Sequence, residues 1–313
     1  MLSLILAAAL TAAPTGGTAT TAPFTLVDNR MVVQATIDGS GPFSMIVDTG
    51  TYGVVVTPEV VAQLKLMTKG AGSVTGAGNG SAPVSSTHLS SLTIGSLGFA
   101  DVRSDVLDLS GIRRAFGFPH LDGIIGYGIL RRLRMGVDMD GSRMTLSYAP
   151  LPTPKNASTV PFKINGDDII TLSGAVDGVP GTFMVDTGDR TSLTLIRHFA
   201  QAHDFYSKAT LHDVITGVGI GGPIYSDVLR TTVSLFGSTI PNVVTRASRD
   251  KGGAFALARE DASVGMGLLK RFNIVYDYPD GKLYAWPSRF YSEPDTFRPP
   301  PISATSSPSS SRP

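Results

Sequence analysis

The chain has 313 residues, enough for about two domains, each with a sizeable core. Apolar residues make up 42% and charged residues 16%, a globular composition that excludes wholesale disorder. A net charge of +1 gives no electrostatic case for nucleic acid or an anionic membrane, and the lack of cysteine excludes disulfides and thiolate metal sites.

The N-terminal run Leu2–Leu10 is apolar and short, and Thr11-Ala12-Ala13 follows it. The pattern reads as a secretory signal peptide with an A-x-A-like cleavage site, although a basic n-region is missing. It is too short to cross a bilayer, so no stable membrane insertion is expected. Residues 14–23 are rich in Pro, Thr, Gly and Ala and read as a linker. The expected location is secreted or periplasmic.

Strands begin at Phe24. Met31–Ile37 alternates and is β-branched, turns at Asp38-Gly39, and returns as Phe43–Val47. That strand stops at Asp48-Thr49-Gly50. Val54–Val56 follows, and Thr57-Pro58-Glu59 opens a short helix to about Leu64. A glycine-dense stretch comes next, with Gly76 and Gly78 at its centre, then a strand around Leu92–Ile94. The first half closes with Gly123-Ile124-Ile125-Gly126 and the Asp140-Gly141 turn, and Pro150–Asn156 is a proline-rich joint.

The second half repeats the order. Asp177-Gly178 precedes Phe183-Met-Val, which stops at Asp186-Thr187-Gly188. Leu193-Thr194 leads into a helix over 195–203, and Gly217 and Gly219 mark a second glycine-dense stretch. Val233–Leu235, Ser263-Val264-Gly265 and Asp280-Gly281 complete the copy. Asp186 follows Asp48 by 138 residues, and Gly265 follows Gly126 by 139. A constant offset is the trace of a duplicated folding unit. The expected division is a lobe over 24–150, a lobe over 157–291, and a disordered Pro/Ser-rich tail over 292–313.

These residues resemble the aspartic protease superfamily over roughly residues 24 to 288, in the retropepsin-like bacterial form with both halves on one chain. The resemblance implies a mostly-β bilobal fold, with two β-barrel-like lobes about a pseudo-twofold axis and short helices. It implies catalytic aspartates at Asp48 and Asp186, supported by Thr49, Gly50, Thr51, Thr187 and Gly188. It also implies a glycine-tipped flap in each half, at Gly76/Gly78 and Gly217/Gly219, and threonine hydroxyls that interlock across the lobe interface.

The chemistry needs two carboxylates close enough to share one proton, because like charges that near cannot both ionise. The ionised one activates water and the protonated one donates to the scissile carbonyl oxygen. No metal or other cofactor is required. Taken singly, each Asp-Thr-Gly is an ordinary turn; two in matched surroundings point to a dyad. Thr51 is placed to donate to Asp48, whereas Asp189 occupies the matching place beside Asp186, with Arg190 as its neighbouring counter-charge. This makes Asp48 the expected base and Asp186 the expected acid.

The five histidines show no metal-ligand spacing, and Gly217-x-Gly219-x-x-Gly222 precedes Pro223 rather than a helix, so it is not a dinucleotide motif. Arg131-Arg132 and Lys270-Arg271 read as solvated helix faces. The expected activity is aspartic endopeptidase, acting as a monomer on peptides or unfolded protein bound in an extended form. The alternative is a secreted β-domain that keeps the scaffold and only binds a peptide or surface ligand.

Overall fold

Alternating apolar runs become strands, with short helices between them. In the computed structural model, which describes residues 14–16 and 18–300, the first half runs β1 (Pro14–Gly16), β2 (Ala19–Val27), β3 (Arg30–Ile37), β4 (Ser40–Val47), β5 (Val54–Val56), α1 (Pro58–Leu64), β6 (Lys69–Thr75), β7 (Ser81–Ile94), β8 (Leu97–Val106), α2 (Ser110–Phe116), β9 (Gly123–Ile125), α3 (Tyr127–Leu130), β10 (Arg134–Asp138) and β11 (Arg143–Ser147). The second half runs β12 (Ser158–Pro161), β13 (Lys163–Ile164), β14 (Ile170–Val176), β15 (Val179–Asp186), β16 (Leu193–Leu195), α4 (Arg197–Ala202), a 3-10 turn (Phe205–Lys208), β17 (Leu211–Gly219), β18 (Gly222–Leu235), β19 (Ser238–Ser248), α5 (Ala254–Leu257), β20 (Ala262–Gly265), α6 (Met266–Leu269), β21 (Phe272–Asp277) and β22 (Lys282–Pro287). The fold is mostly β and bilobal, as expected.

The duplication is visible in the strand pairings. Asp38-Gly39 and Asp177-Gly178 both turn with positive φ, at 51° and 74°, then 50° and 82°. They close the β3–β4 and β14–β15 hairpins. Each returning strand then pairs in parallel with the strand that carries the apolar-Gly motif. Val47 lies beside Ile125 in the first half, and Asp186 beside Gly265 in the second. Val54–Val56 is buried throughout, and the helix expected after it is α1, with Thr57 at its N-cap and proline in its first turn.

The lobes share a platform of strands in the order β12-β22-β21-β10-β11-β2. Three of these strands belong to the second half. At the centre, antiparallel pairing sets Arg134 against Asp277 and Val137 against Ile274. One core runs through both halves, from Val33 and Val47 to Val185 and Ile274. The Pro150–Asn156 joint is coil, but strands 272–287 of the second half complete a sheet of the first.

Several expectations need correction. Residues 14–23 are not a linker: β1 pairs with β8 and the start of β2 pairs with β11, because the threonines and alanines there sit on alternating faces of a sheet. The start of the expected tail is pinned down. Val244 N–H donates to Asp295 Oδ2 at 2.9 Å, and Arg190 Nη1 donates to the Arg298 carbonyl at 2.8 Å. Arg271 is not a solvated helix face. It is 6% exposed and donates to the carbonyls of Tyr291 and Glu293 at 2.8 and 2.7 Å, while Lys270 pairs with Glu293 at 2.8 Å. Residues 1–13, which hold the run read as a signal peptide, and residues 301–313 lie outside the described residues. Among the described residues, no helix is long and apolar enough to cross a membrane.

Candidate active site

The two Asp-Thr-Gly turns meet at the interface between the lobes. Asp48 is anchored through its own N–H to the Ile125 carbonyl at the end of β9, 2.9 Å away. Gly50 N–H donates to Asp48 Oδ1 at 2.7 Å, and Gly188 N–H donates to Asp186 Oδ1 at 2.8 Å. The two carboxyl groups are close neighbours across the axis, each set against the glycine of the opposite turn.

Glycine is required here by close approach rather than by backbone angle. A Cβ on Gly50 would fall 2.6 Å from Asp186 Cγ, and one on Gly188 would fall 2.6 Å from Asp48 Oδ1. Each carboxylate therefore packs against the glycine of the opposite turn.

The threonines lock the turns together. Thr49 N–H donates to Thr187 Oγ1 at 3.0 Å, and Thr187 N–H donates to Thr49 Oγ1 at 3.0 Å. Thr49 Oγ1 in turn donates to the Val185 carbonyl at 2.7 Å, and Thr187 Oγ1 to the Val47 carbonyl at 2.8 Å. Both side chains are buried, at 1% and 0% exposure. This is a reciprocal lattice across the pseudo-twofold axis.

Around the dyad the symmetry breaks. Thr51 Oγ1 donates to Asp48 Oδ2 at 2.7 Å. Asp189 gives only its N–H to Asp186 Oδ1, at 3.0 Å. Its carboxylate is not neutralised by Arg190, which instead pairs with Asp28, Nη2 to Oδ1 at 2.8 Å. The partner is Arg246 of β19, with Nη2 to Oδ2 at 2.8 Å. Burial raises Asp186 well above the usual carboxylate range, and the neighbouring Asp48 and Asp189 carboxylates push it the same way. Burial also works against the charge on Asp189, but Arg246, the Thr191 amide and hydroxyl, and Arg30 hold it below the usual range.

The turn between β2 and β3 supports the second loop from the first lobe. Arg30 Nε donates to the Gly188 carbonyl at 2.7 Å, and Asn29 Nδ2 donates to the Arg190 carbonyl at 2.8 Å. Sequence reasoning missed Arg30, Asn79 and Arg246. A buried arginine inside the apolar run Val243-Val244-Thr245-Arg246-Ala247 was the one available signal; Asn79 sits in a polar loop and gave none.

A cavity of about 670 Å³ contains both aspartates. Val55, Leu109 and Ile124 give its first-lobe wall an apolar stretch, and Met184, Phe255 and Ile169 do the same on the second-lobe wall. The tips of two hairpins roof it. Gly76 and Gly78 lie at the turn between β6 and β7, and Gly219 lies at the turn between β17 and β18. Gly217 is not at a tip: it sits within β17, opposite Ile224. Gly80 N–H donates to the Gly221 carbonyl, and Gly221 N–H to the Ala77 carbonyl, both at 2.8 Å. The loop before α5 joins them. Asn79 Oδ1 accepts from the N–H groups of Lys251 and Gly252 at 2.7 and 3.0 Å, and Asn79 Nδ2 donates to Asp250 Oδ1 at 3.1 Å. A Cβ on Gly78 would fall 2.7 Å from the Gly221 carbonyl carbon, so the roof is backbone against backbone.

Among the described residues, no cluster of three or more metal-ligating side chains occurs. Ser263, the counterpart of Ile124, is 1% exposed and lines the same cavity on the side of Asp186.

Residues 33–129 match the family model described as aspartyl protease. No curated protein matches the chain. The aspartic proteinase of Irpex lacteus is similar in structure, with a TM-score of 0.56 at 15% identity over 89% of this chain and 100% of that one. The basic 7S globulin of soybean aligns with a TM-score of 0.48 at 11% identity, over 88% of this chain and 97% of that one. The chain therefore has the bilobal fold of the aspartic proteinases, with the aspartyl protease family match lying in its first lobe.

Proposed function

We propose that the protein is an aspartic endopeptidase in which Asp48 and Asp186 hydrolyse a peptide bond through an activated water. One observation carries the reading: two Asp-Thr-Gly turns are held face to face by reciprocal threonine hydrogen bonds, with their carboxyl groups close neighbours on the floor of one cavity.

The roles follow from the surroundings. Asp48 receives the Thr51 hydroxyl and the Gly50 N–H, which stabilise its ionised form. It takes the proton from water as the water attacks the carbonyl carbon. Asp186, raised by burial and the neighbouring carboxylates, keeps its proton and donates it to the carbonyl oxygen. As the tetrahedral gem-diol collapses, Asp48 gives the proton it took from water to the leaving nitrogen, and the hydroxyl formed on the former carbonyl oxygen returns its proton to Asp186, so the pair regains its starting state. No metal or covalent intermediate takes part.

The hairpins act as flaps. Substrate lies extended beneath them and pairs with their backbone as an added strand would. With a closing hairpin from each half, the arrangement is retropepsin-like. The enzyme works as a monomer that mimics a dimer, and the N-terminal apolar run directs it outside the cytoplasm.

The test is hydrolysis of a mixed peptide library from acid to neutral pH, beside Asp48→Asn and Asp186→Asn. Each variant is expected to lose about a hundred- to ten-thousand-fold in kcat and to keep peptide binding. A folded wild type that binds peptides and cuts none at any pH would favour the binding-only alternative.

A further inference from the structure

The pseudo-twofold relation fails at one buried pair. Where the first turn has Thr51, the second has Asp189, and the Asp189 carboxylate points away from Asp186 into the lobe. Thr191 donates to its Oδ1 from both N–H and Oγ1, at 2.9 and 2.8 Å. Arg246 takes Oδ2, and its Nε donates to Thr194 Oγ1 at 3.0 Å. The two charged side chains are 8% and 2% exposed. Arg246 has no charged equivalent of the same sign in the first lobe. The β16–β19 pairing sets Arg246 beside Thr194, and the matching β5–β8 pairing sets Asp105 beside Val55.

An ion pair this deep is a poor way to gain stability. Desolvation offsets most of the attraction, and a well-packed apolar pair of similar volume would serve as well. Its placement one hydrogen bond from Asp186 offers another use for it. We propose that Asp189 and Arg246 form a positioning pair that makes the two catalytic carboxyl groups unequal, so that the shared proton rests on Asp186. This rests on the dyad reading above.

Two nearly symmetric aspartates have no intrinsic reason to divide their roles. Asp189 supplies one by holding a negative charge beside Asp186, where the first turn has a neutral hydroxyl donor. Arg246 keeps that charge in place, since an unpaired buried Asp189 would take up a proton itself. The other charged groups facing this region are Asp48 across the axis, Arg30 from β3, Arg190 of the same loop, and Asp250 beyond Arg246. Arg30 and Arg190 are both engaged by Asp28, which limits their pull on Asp186.

The sign follows. Turnover needs Asp186 protonated, so its ionisation sets the alkaline limb of the pH–rate profile. Removing the Asp189 charge eases that ionisation and moves the limb to lower pH. Asp189→Asn is expected to shift it down by about one pH unit, a tenfold loss of rate at a fixed pH on that limb. The double variant Asp189→Asn/Arg246→Met removes both charges and is expected to shift less. It also keeps the test open if the single variant fails to fold. Carboxyl carbon NMR titration of Asp186 should move in the same direction as the kinetics. An alkaline limb that stays put in both folded variants, or a uniform fall in kcat without a shift, would overturn the proposal. The Asp48→Asn and Asp186→Asn controls judge the dyad reading separately.

Discussion

Replacing Thr187 by valine tests the lattice that joins the two turns. The side chains have nearly the same shape, so the change opens no cavity; it removes one oxygen. That oxygen accepts from Thr49 N–H at 3.0 Å and donates to the Val47 carbonyl at 2.8 Å, at a site with 0% exposure. Both backbone partners lose their bond in a place water does not reach. Each buried, unsatisfied group costs about 1–3 kcal/mol, so the expected loss is about 2–6 kcal/mol. Against a typical total of about 5–15 kcal/mol, this is a large fraction. Thr187→Ser keeps the oxygen and should lose about 1 kcal/mol, the order expected for one buried methyl group. The assay is urea denaturation followed by circular dichroism and by Trp286, the single tryptophan, which lies in β22 of the shared platform. Activity should fall with stability in the valine variant and persist in the serine variant. If valine is as stable as wild type, or serine is as damaging as valine, the lattice does not hold the turns together.

Two further perturbations act on the same cavity. Gly188→Ala places a methyl group against the Asp48 carboxylate. It should cut kcat about a hundredfold by displacing the dyad, and a stopped assay on the folded protein would show it. Asn79→Ala removes three hydrogen bonds between the first hairpin tip and the loop before α5. Faster amide exchange is expected at residues 250–254 with little change in global stability; unchanged exchange there would mean that Asn79 does not latch the roof.

Much of the fold could be read from the sequence because local chemistry and tertiary structure agree. Asp38-Gly39 requires a turn with positive φ, and Val54–Val56 has no polar face to present to water. Asp48 and Asp186 were identifiable because each ends an apolar strand in matched surroundings. The platform was less visible. Residues 14–23 look like a linker because alanine and threonine carry little periodic signal, and their pairing to β11 is a long-range event. The partner of Asp189 was misassigned for a related reason. Arg190 is adjacent in sequence, but its guanidinium reaches Asp28 on the turn between β2 and β3. Arg246, 57 residues from Asp189, has the inward place.

The central pairing of the platform also sets an order of events. Arg134 pairs with Asp277 and Val137 with Ile274. During synthesis at about 5–20 residues per second, the second partner follows the first by about 7–30 seconds. Over that interval β10 has no neighbour on the axis side, and the platform that joins the halves is incomplete. Both aspartates are already made before β21 appears, yet only the threonine lattice and the hairpin tips, without the platform, are there to register them against each other. Under the proposed reading, a chain still on the ribosome has the parts of a peptidase without its geometry. Hydrolytic competence therefore arrives only with the closing strands, after most of the chain has left the ribosome.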